Sequence, residues 1–293
     1  MKAVKILGVV VGAIVALIVV IVVLALVGID QAAKIGIERG ATYALGVDTT
    51  LDSADIGVFS GEFGMSGLTV SNPDGYTSPH FLSLGTGEVN VSYESLSSDL
   101  ITLPLLSLST IDVHLDKKDG SSNYQTILDN LKRFETSEEP PPADTGQESQ
   151  KFVIEELTIS DITVHAAVVG SAKTTAKVDS ITLKNVGSGG KPVDMGQLTG
   201  VIIKSLMAAA ITAGAEEFPA AVLGELESGL GGLESLGDLG VSVTAEIGGV
   251  TQELGSLLGD LGEGVGETLD DVGGAVEDAA KGIGDLFGGG DDK

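Results

Sequence analysis

Across 293 residues the chain carries 16 basic and 42 acidic side chains, a net charge of −26, with 4% aromatic residues and no cysteine. Such a chain repels phosphate backbones and anionic head groups at long range, and without a basic patch or aromatic platform it excludes nucleic-acid binding. The missing thiols exclude disulfide staples, thiolate metal sites and cysteine nucleophiles.

Ile6 to Ile29 is an uncharged stretch of aliphatics interrupted only by Gly8, Gly12 and Gly28. As a helix it would span about 36 Å, more than the roughly 30 Å hydrocarbon core of a bilayer. Lys2 and Lys5 precede it, which places the N-terminus in the cytoplasm. A cleaved signal peptide would have an apolar region of roughly 7–15 residues and a small-residue cleavage site. Here the run is longer, and Leu26-Val27-Gly28-Ile29-Asp30 is a poor site. Residues 1–29 therefore read as a single-pass, uncleaved anchor, with the rest of the chain on the far side of the membrane. Gly8, Gly12 and Ala16 form a small-residue stripe on which two such helices could pack.

Gln31 to Leu45 continues as a helix, with Ile37, Ala41 and Ala44 on one side and Lys34, Glu38 and Arg39 free to face water. This stripe is expected to pack under the adjoining sheet. Val47–Phe59 and Glu62–Val70 form a hairpin around Ser60-Gly61, and the alternation shifts at Gly67-Leu68, which marks a bulge or bend. Further half-buried strands alternate over Glu88–Tyr93 and Ser109–Leu115, with turns at Asn72-Pro73-Asp74-Gly75 and Asp119-Gly120. Pro104 demotes Thr102–Leu106 to an edge strand or crossing segment. A short helix over Tyr124–Phe134 leads into a polar, proline-rich linker at residues 135–150. Strands resume at Lys151–Val169 and Lys177–Val186, so the linker lies within one sheet. From Met195 the period turns helical, with a break at Pro219 or a second helix starting there. The sheet domain is placed at residues 30–223. Residues 224–293 hold twenty of the forty-two glycines and sixteen acidic residues. Their apolar positions recur every three or four residues through Ile247, Val250 and Leu254, so they read as a weak amphipathic helix or a disordered tail.

No catalytic set, metal site or cofactor is expected, and the chain is not expected to be an enzyme. Asp112, His114 and Asp116 alternate along one strand and read as its solvent face, because a metal site would need ligands from neighbouring strands. His80 and His165 read as isolated. In Asp116-Lys117-Lys118-Asp119-Gly120 two lysines stand where a calcium loop wants oxygen ligands, so it reads as a hairpin turn. Candidates for an apolar sheet face that meets lipid are Ile56, Val58, Phe63, Met65, Val70, Val89, Val91, Tyr93, Val113 and Leu115.

One further pattern runs through Leu68, Val70, Asn72, Pro73, Gly75, Tyr76, Pro79, Leu82, Leu84, Gly85, Val89 and Val91. It continues in Leu96, Ile111, Val113, Leu115, Gly120, Asn123, Ile127 and Leu128. In spacing this resembles the AsmA-like proteins of bacterial envelopes, short relatives of bridge-like lipid-transfer proteins. The resemblance implies an α+β fold: a transmembrane helix, a curved open antiparallel sheet like a half-barrel, a covering helix, and here an acidic glycine-rich tail. It further implies a periplasmic protein of the bacterial inner membrane that handles membrane lipid or assists envelope assembly, with other envelope proteins as partners. The alternative is a non-catalytic scaffold whose sheet face is filled by its own helices.

Overall fold

The structure, a computed structural model, describes residues 28–57, 60–76, 78–95, 100–136, 151–168, 173–231 and 241–254. The expected anchor with Gly8, Gly12 and Ala16, residue Val58, most of the 135–150 linker and residues 255–293 lie outside these. The fold is α+β. Helix α1 spans residues 28–45 and is followed by β1 (Thr49–Thr50), β2 (Ser53–Gly57), β3 (Glu62–Val70) and β4 (Leu82–Asn90). Next come β5 (Leu100–Lys118), β6 (Ser121–Ser122), α2 (Asn123–Thr136), β7 (Lys151–Val168) and β8 (Thr174–Val186). The described chain closes with α3 (Met195–Ala213), α4 (Ala220–Gly231), β9 (Ser242–Ile247) and β10 (Val250–Glu253).

All ten strands join one open sheet in the order β1-β3-β4-β5-β7-β8-β9-β10, with β2 also on β3 and β6 on β5. The sheet is mixed, which corrects the all-antiparallel expectation: β5 and β7 run parallel from Leu100↔Lys151 to Lys117↔Val168. Parallel neighbours need a crossover of about a dozen residues or more, and residues 119–150, with β6, α2 and the linker, supply it. Pro104 is also placed differently from expectation, inside the central strand β5. It is tolerated because β4 ends at Asn90, the partner of Leu105, so no ladder on that side demands a donor from residue 104.

The alternation of apolar residues changes phase along two lines across the sheet. It does so once between Leu103 and Leu106 in β5, Ile154 and Leu157 in β7, and Leu183 and Val186 in β8, and again nearer the C-terminal ends of β5 and β7. In β5 the buried positions run Leu106, Leu108 and then Ile111, Val113, Leu115; in β7 they run Leu157, Ile159 and then Ile162, Val164, Ala166. This second switch falls at Gly67, Gly85, Thr110 and Asp161, which sit side by side in register. Gly67, Thr110 and Asp161 have φ of 65°, 60° and 53°. One left-handed residue per strand rotates the remainder of that strand without changing the pairing count, so the expected bend at Gly67 extends over at least three strands. A Cβ on Gly67 would stand 2.1 Å from Asp52 Oδ2, so glycine is also required there for space.

Beyond residue 223 the sheet continues, contrary to the placing of its boundary. Val241, Val243 and Ala245 are buried, and β9 pairs with β8 from Lys184↔Ser242 to Ser180↔Glu246. The stretch read as helical around Ile247 and Val250 is instead a hairpin, turned by Gly248-Gly249 with φ of 59° and 76°. The expected turn at Asp119-Gly120 is likewise a two-residue hairpin joining β5 to β6.

Helices α2, α3 and α4 cover one face of this sheet, α3 against β7–β9 and α2 against β5. An Asp194–Gln197 capping box starts α3. By length and composition α3 could cross a membrane, yet 67% of its most apolar stretch is buried in the fold, as for a core helix. Its Ala208-Ala209-Ala210 run lets it lie close to the strands, and Ile181, Leu183, Ile154 and Leu157 beneath are fully buried. Glu225 of α4 locks the assembly, accepting from Ser122 Oγ (3.0 Å), Tyr124 Oη (2.9 Å) and Lys117 Nζ. Burial pushes the Glu225 carboxyl up, but these three donors outweigh it and hold it below its ordinary value.

Candidate functional site

Two sites emerge on opposite faces of the sheet. On the helix-bearing face, between α1, β2–β5 and the first half of α3, lies a cavity of about 550 Å³. Its position follows from the sequence of α1. The polar side of that helix is spent on the sheet edge: Asp30 Oδ1 accepts from Ile56 N (2.8 Å), Glu38 Oε1 from Leu51 N (2.8 Å) and Thr42 Oγ1 from Thr49 N (2.9 Å). Those bonds cap backbone donors that an edge would leave open. They also turn Ala33, Gly36, Ile37, Ala41 and Leu45 inward, where they line the cavity. The expected Ile37 stripe thus packs toward the sheet, standing off it by the width of the cavity.

Six of the sheet-face candidates line this space: Ile56, Phe63, Met65, Val70, Val89 and Val91. Val113 and Leu115 do not. They are fully buried past the bend, in the half of the sheet that the helices close. Tyr93 falls in a short 3₁₀ turn at Tyr93–Ser95 after β4. Residues not named as lipid-facing candidates complete the lining, chiefly Leu68, Leu82, Leu84, Ile101, Leu103, Leu106, Leu108, Ile111 and Phe152 from the sheet and Leu198, Ile202 and Leu206 from α3. Strand alternation alone does not reach the first group, because Leu68, Leu82 and Leu84 join the faces of Met65 and Val89 only through the phase shift at Gly67 and Gly85.

The cavity opens at one end. Around the β2–β3 tip Ile56, Phe63, Val91, Ile101 and Phe152 are half-buried, whereas deeper in Leu82, Leu84, Leu106 and Leu108 are buried. The Asp30–Ile56 bond sets the start of α1 beside that opening. Leu100 and Ile29, each 39% exposed, stand at the same end. The opening therefore lies where residues 1–29 join the fold.

On the other face, the three histidines of the chain converge on one carboxylate, which corrects the reading of His80 and His165 as isolated. Asp112 Oδ1 is 3.1 Å from His80 Nε2 and 3.0 Å from His114 Nδ1, and Asp112 Oδ2 is 2.9 Å from His165 Nε2. His165 Nδ1 in turn meets Thr175 Oγ1 at 2.9 Å. Nor is His114 a solvent-face residue, at 5% exposure. Burial first, and the Lys173 charge next, push its ring down to about 4, so it is neutral at ordinary pH. For Asp112, burial raises the carboxyl, but the His80 hydrogen bond and the His114 and His165 fields bring it below its ordinary value.

Local folding explains the convergence. Ser107–Leu115 (SLSTIDVHL) and Thr158–Ala166 (TISDITVHA) are similar segments that pair in parallel, which sets His114 beside His165. The loop between β3 and β4 then folds back over them. Asn123 Nδ2 donates to both Asn72 Oδ1 (2.7 Å) and the His114 carbonyl (2.8 Å), and Asn72 Nδ2 donates to Ser78 O (2.8 Å). Asn72 and Asn123, both in the family-like pattern, thereby fix the loop that delivers His80. The repeated I-x-V-H was the signal in the sequence for this pairing.

These features define a class: an α+β protein with an open mixed sheet, bent across its strands and holding an apolar cavity beside its first helix. No protein-family model matches the chain, and no curated protein matches its sequence.

Proposed function

We propose that the protein is a membrane-tethered lipid-handling protein of the AsmA-like kind, which takes an acyl chain into the cavity beside α1. The observation that carries this reading is the position of the opening, at the end of the fold where the uncharged Ile6–Ile29 segment enters. An anchor there turns the opening toward the bilayer, so a lipid tail can pass from membrane to cavity without crossing water. A volume of about 550 Å³ lies within the roughly 300–1,000 Å³ of small-ligand sites. Burying about ten methylenes at about 0.8 kcal/mol each gives about 8 kcal/mol before association costs, enough for binding that remains reversible. In this reading the chain sits in a bacterial inner membrane with its sheet in the periplasm and serves envelope assembly without catalysing a reaction. The scaffold alternative describes the parts of the sheet away from the cavity, where Val113, Leu115, Ile181 and Leu183 are already fully buried.

The test is photo-cross-linking of the full chain in liposomes that carry a phospholipid with a diazirine near the end of one acyl chain. Adducts on peptides bearing Phe63, Met65 and Val89 support the reading. Adducts confined to residues 1–29 would show a protein that merely sits in lipid.

A further inference from the structure

The geometry points to a second site: we propose that His80, Asp112 and His114 bind one divalent transition-metal ion of the zinc type, with His165 as a positioning residue. Two imidazoles and a carboxylate are a donor set that suits zinc and its neighbours and discriminates against calcium and magnesium. Among the described residues, the three candidate ligand atoms lie within 4.8 Å of one another. Bonds of about 2.0–2.1 Å to a tetrahedral ion require ligand atoms about 3.4 Å apart. Asp112 Oδ1 already stands 3.1 Å and 3.0 Å from the two ring nitrogens, so those pairs part by a few tenths of an ångström while the two imidazole nitrogens, within 4.8 Å of each other, settle at the same spacing around the ion.

An independent observation singles out the same point. His114 Nδ1 is buried and makes no hydrogen bond, although it stands 3.0 Å from Asp112 Oδ1, because the two are not aligned for one. A buried nitrogen left unpaired forfeits its hydration with nothing in return, and a metal bond removes that cost. Around the ligands the outer partners are in place. His165 Nε2 holds the second oxygen of Asp112 and is itself held by Thr175, the arrangement that orients a ligating carboxylate. A fourth position is left for water or a substrate atom, since the Asp112 side chain is 35% exposed and borders a cleft with Thr110, Asp161 and Thr163. The exposed Lys173 is the charge that opposes a cation here, and its exposure leaves it screened by solvent.

The experiment uses the full chain in detergent, made without a histidine tag, and measures zinc by competition with a chromophoric chelator. Cobalt absorption reports the coordination geometry. One tight equivalent is expected, with a tetrahedral cobalt spectrum. His80→Asn and His114→Asn each weaken binding more than about 100-fold, His165→Asn about 10- to 100-fold, and Asp116→Asn has no effect. Since His114 is buried, His80→Asn in the half-buried loop is the variant that tests the site with the fold kept, as thermal unfolding verifies. Zinc affinity unchanged in His80→Asn would place the ion on the acidic surface carboxylates and overturn the proposal. So would an octahedral cobalt spectrum.

Discussion

Gly36→Leu should make the protein more stable and, at the same time, close its cavity. Gly36 lies in the middle of α1 and lines the cavity, and a Cβ built there meets nothing within 4 Å. Replacing a mid-helix glycine with a good helix former gains about 1 kcal/mol, which raises the melting temperature by about 2–4 °C in a domain of this size. The leucine side chain places four carbons in space that an acyl chain would fill. At about 0.8 kcal/mol per methylene equivalent, the displaced ligand loses about 3 kcal/mol, on the order of 100-fold in affinity. Gly36→Ala supplies the helix gain with a single carbon, so it should stabilise similarly but weaken binding only about fourfold. Both variants, with the wild type, are titrated in nanodiscs with a photoreactive fatty acid, scored by half-saturating concentration, and melted by circular dichroism. A leucine variant that is stabilised yet binds like the wild type would refute an occupant beside α1. One that binds less because it unfolds earlier would refute the open space.

The remaining predictions concern the frame around the sites. Glu225→Gln should destabilise the protein by about 1–2 kcal/mol near pH 7 in urea unfolding, after discounting for partial exposure. The folded Glu225 carboxyl is held below its ordinary 4.5. Its contribution is therefore complete above that value and lost as pH falls through the folded one, so variant and wild type should converge once the pH lies below the folded value. Gly67→Ala, with its Cβ forced to φ 65° and into Asp52, should cost about 1–3 kcal/mol in the same assay. A chain ending at Leu223 loses β9, β10 and Glu225 and should aggregate, as light scattering would report.

The fold was legible where a single strand or helix reports on itself. Alternation located β3, β7 and β8, helical spacing located α2 and α3, and the Ile37 stripe predicted the inner side of α1, whereas the strand expected over Glu88–Tyr93 lies instead at Leu82–Asn90. What alternation cannot report is which strand lies beside which. The parallel β5–β7 pair depends on the crossover through residues 119–150, a relation between segments that no local period encodes. For the same reason Pro104 read as an edge residue: its exemption comes from β4 stopping at Asn90. The β9–β10 hairpin was hidden by composition, since the glycine content around it favoured a tail reading, although Val241, Val243, Ala245 and Ile247 before Gly248-Gly249 carry a strand-and-turn pattern. The histidine cluster was least visible. His80 and Asp112 are 32 residues apart and Asp112 and His165 are 53 apart, so only the folded sheet brings them together. The lining of the cavity was half legible: the alternation named Phe63, Met65 and Val89, but it could not say that Val113 and Leu115 lie beyond a bend and under helices.

Whether the cavity beside α1 holds an acyl chain is read most directly by mass spectrometry of residues 30–293, produced without the first 29 residues and purified from cells. About one phospholipid or fatty acid should be retained per chain, and none by the Gly36→Leu form. A chain that carries no lipid and takes up none when offered a fluorescent fatty acid would contradict an acyl chain in the cavity.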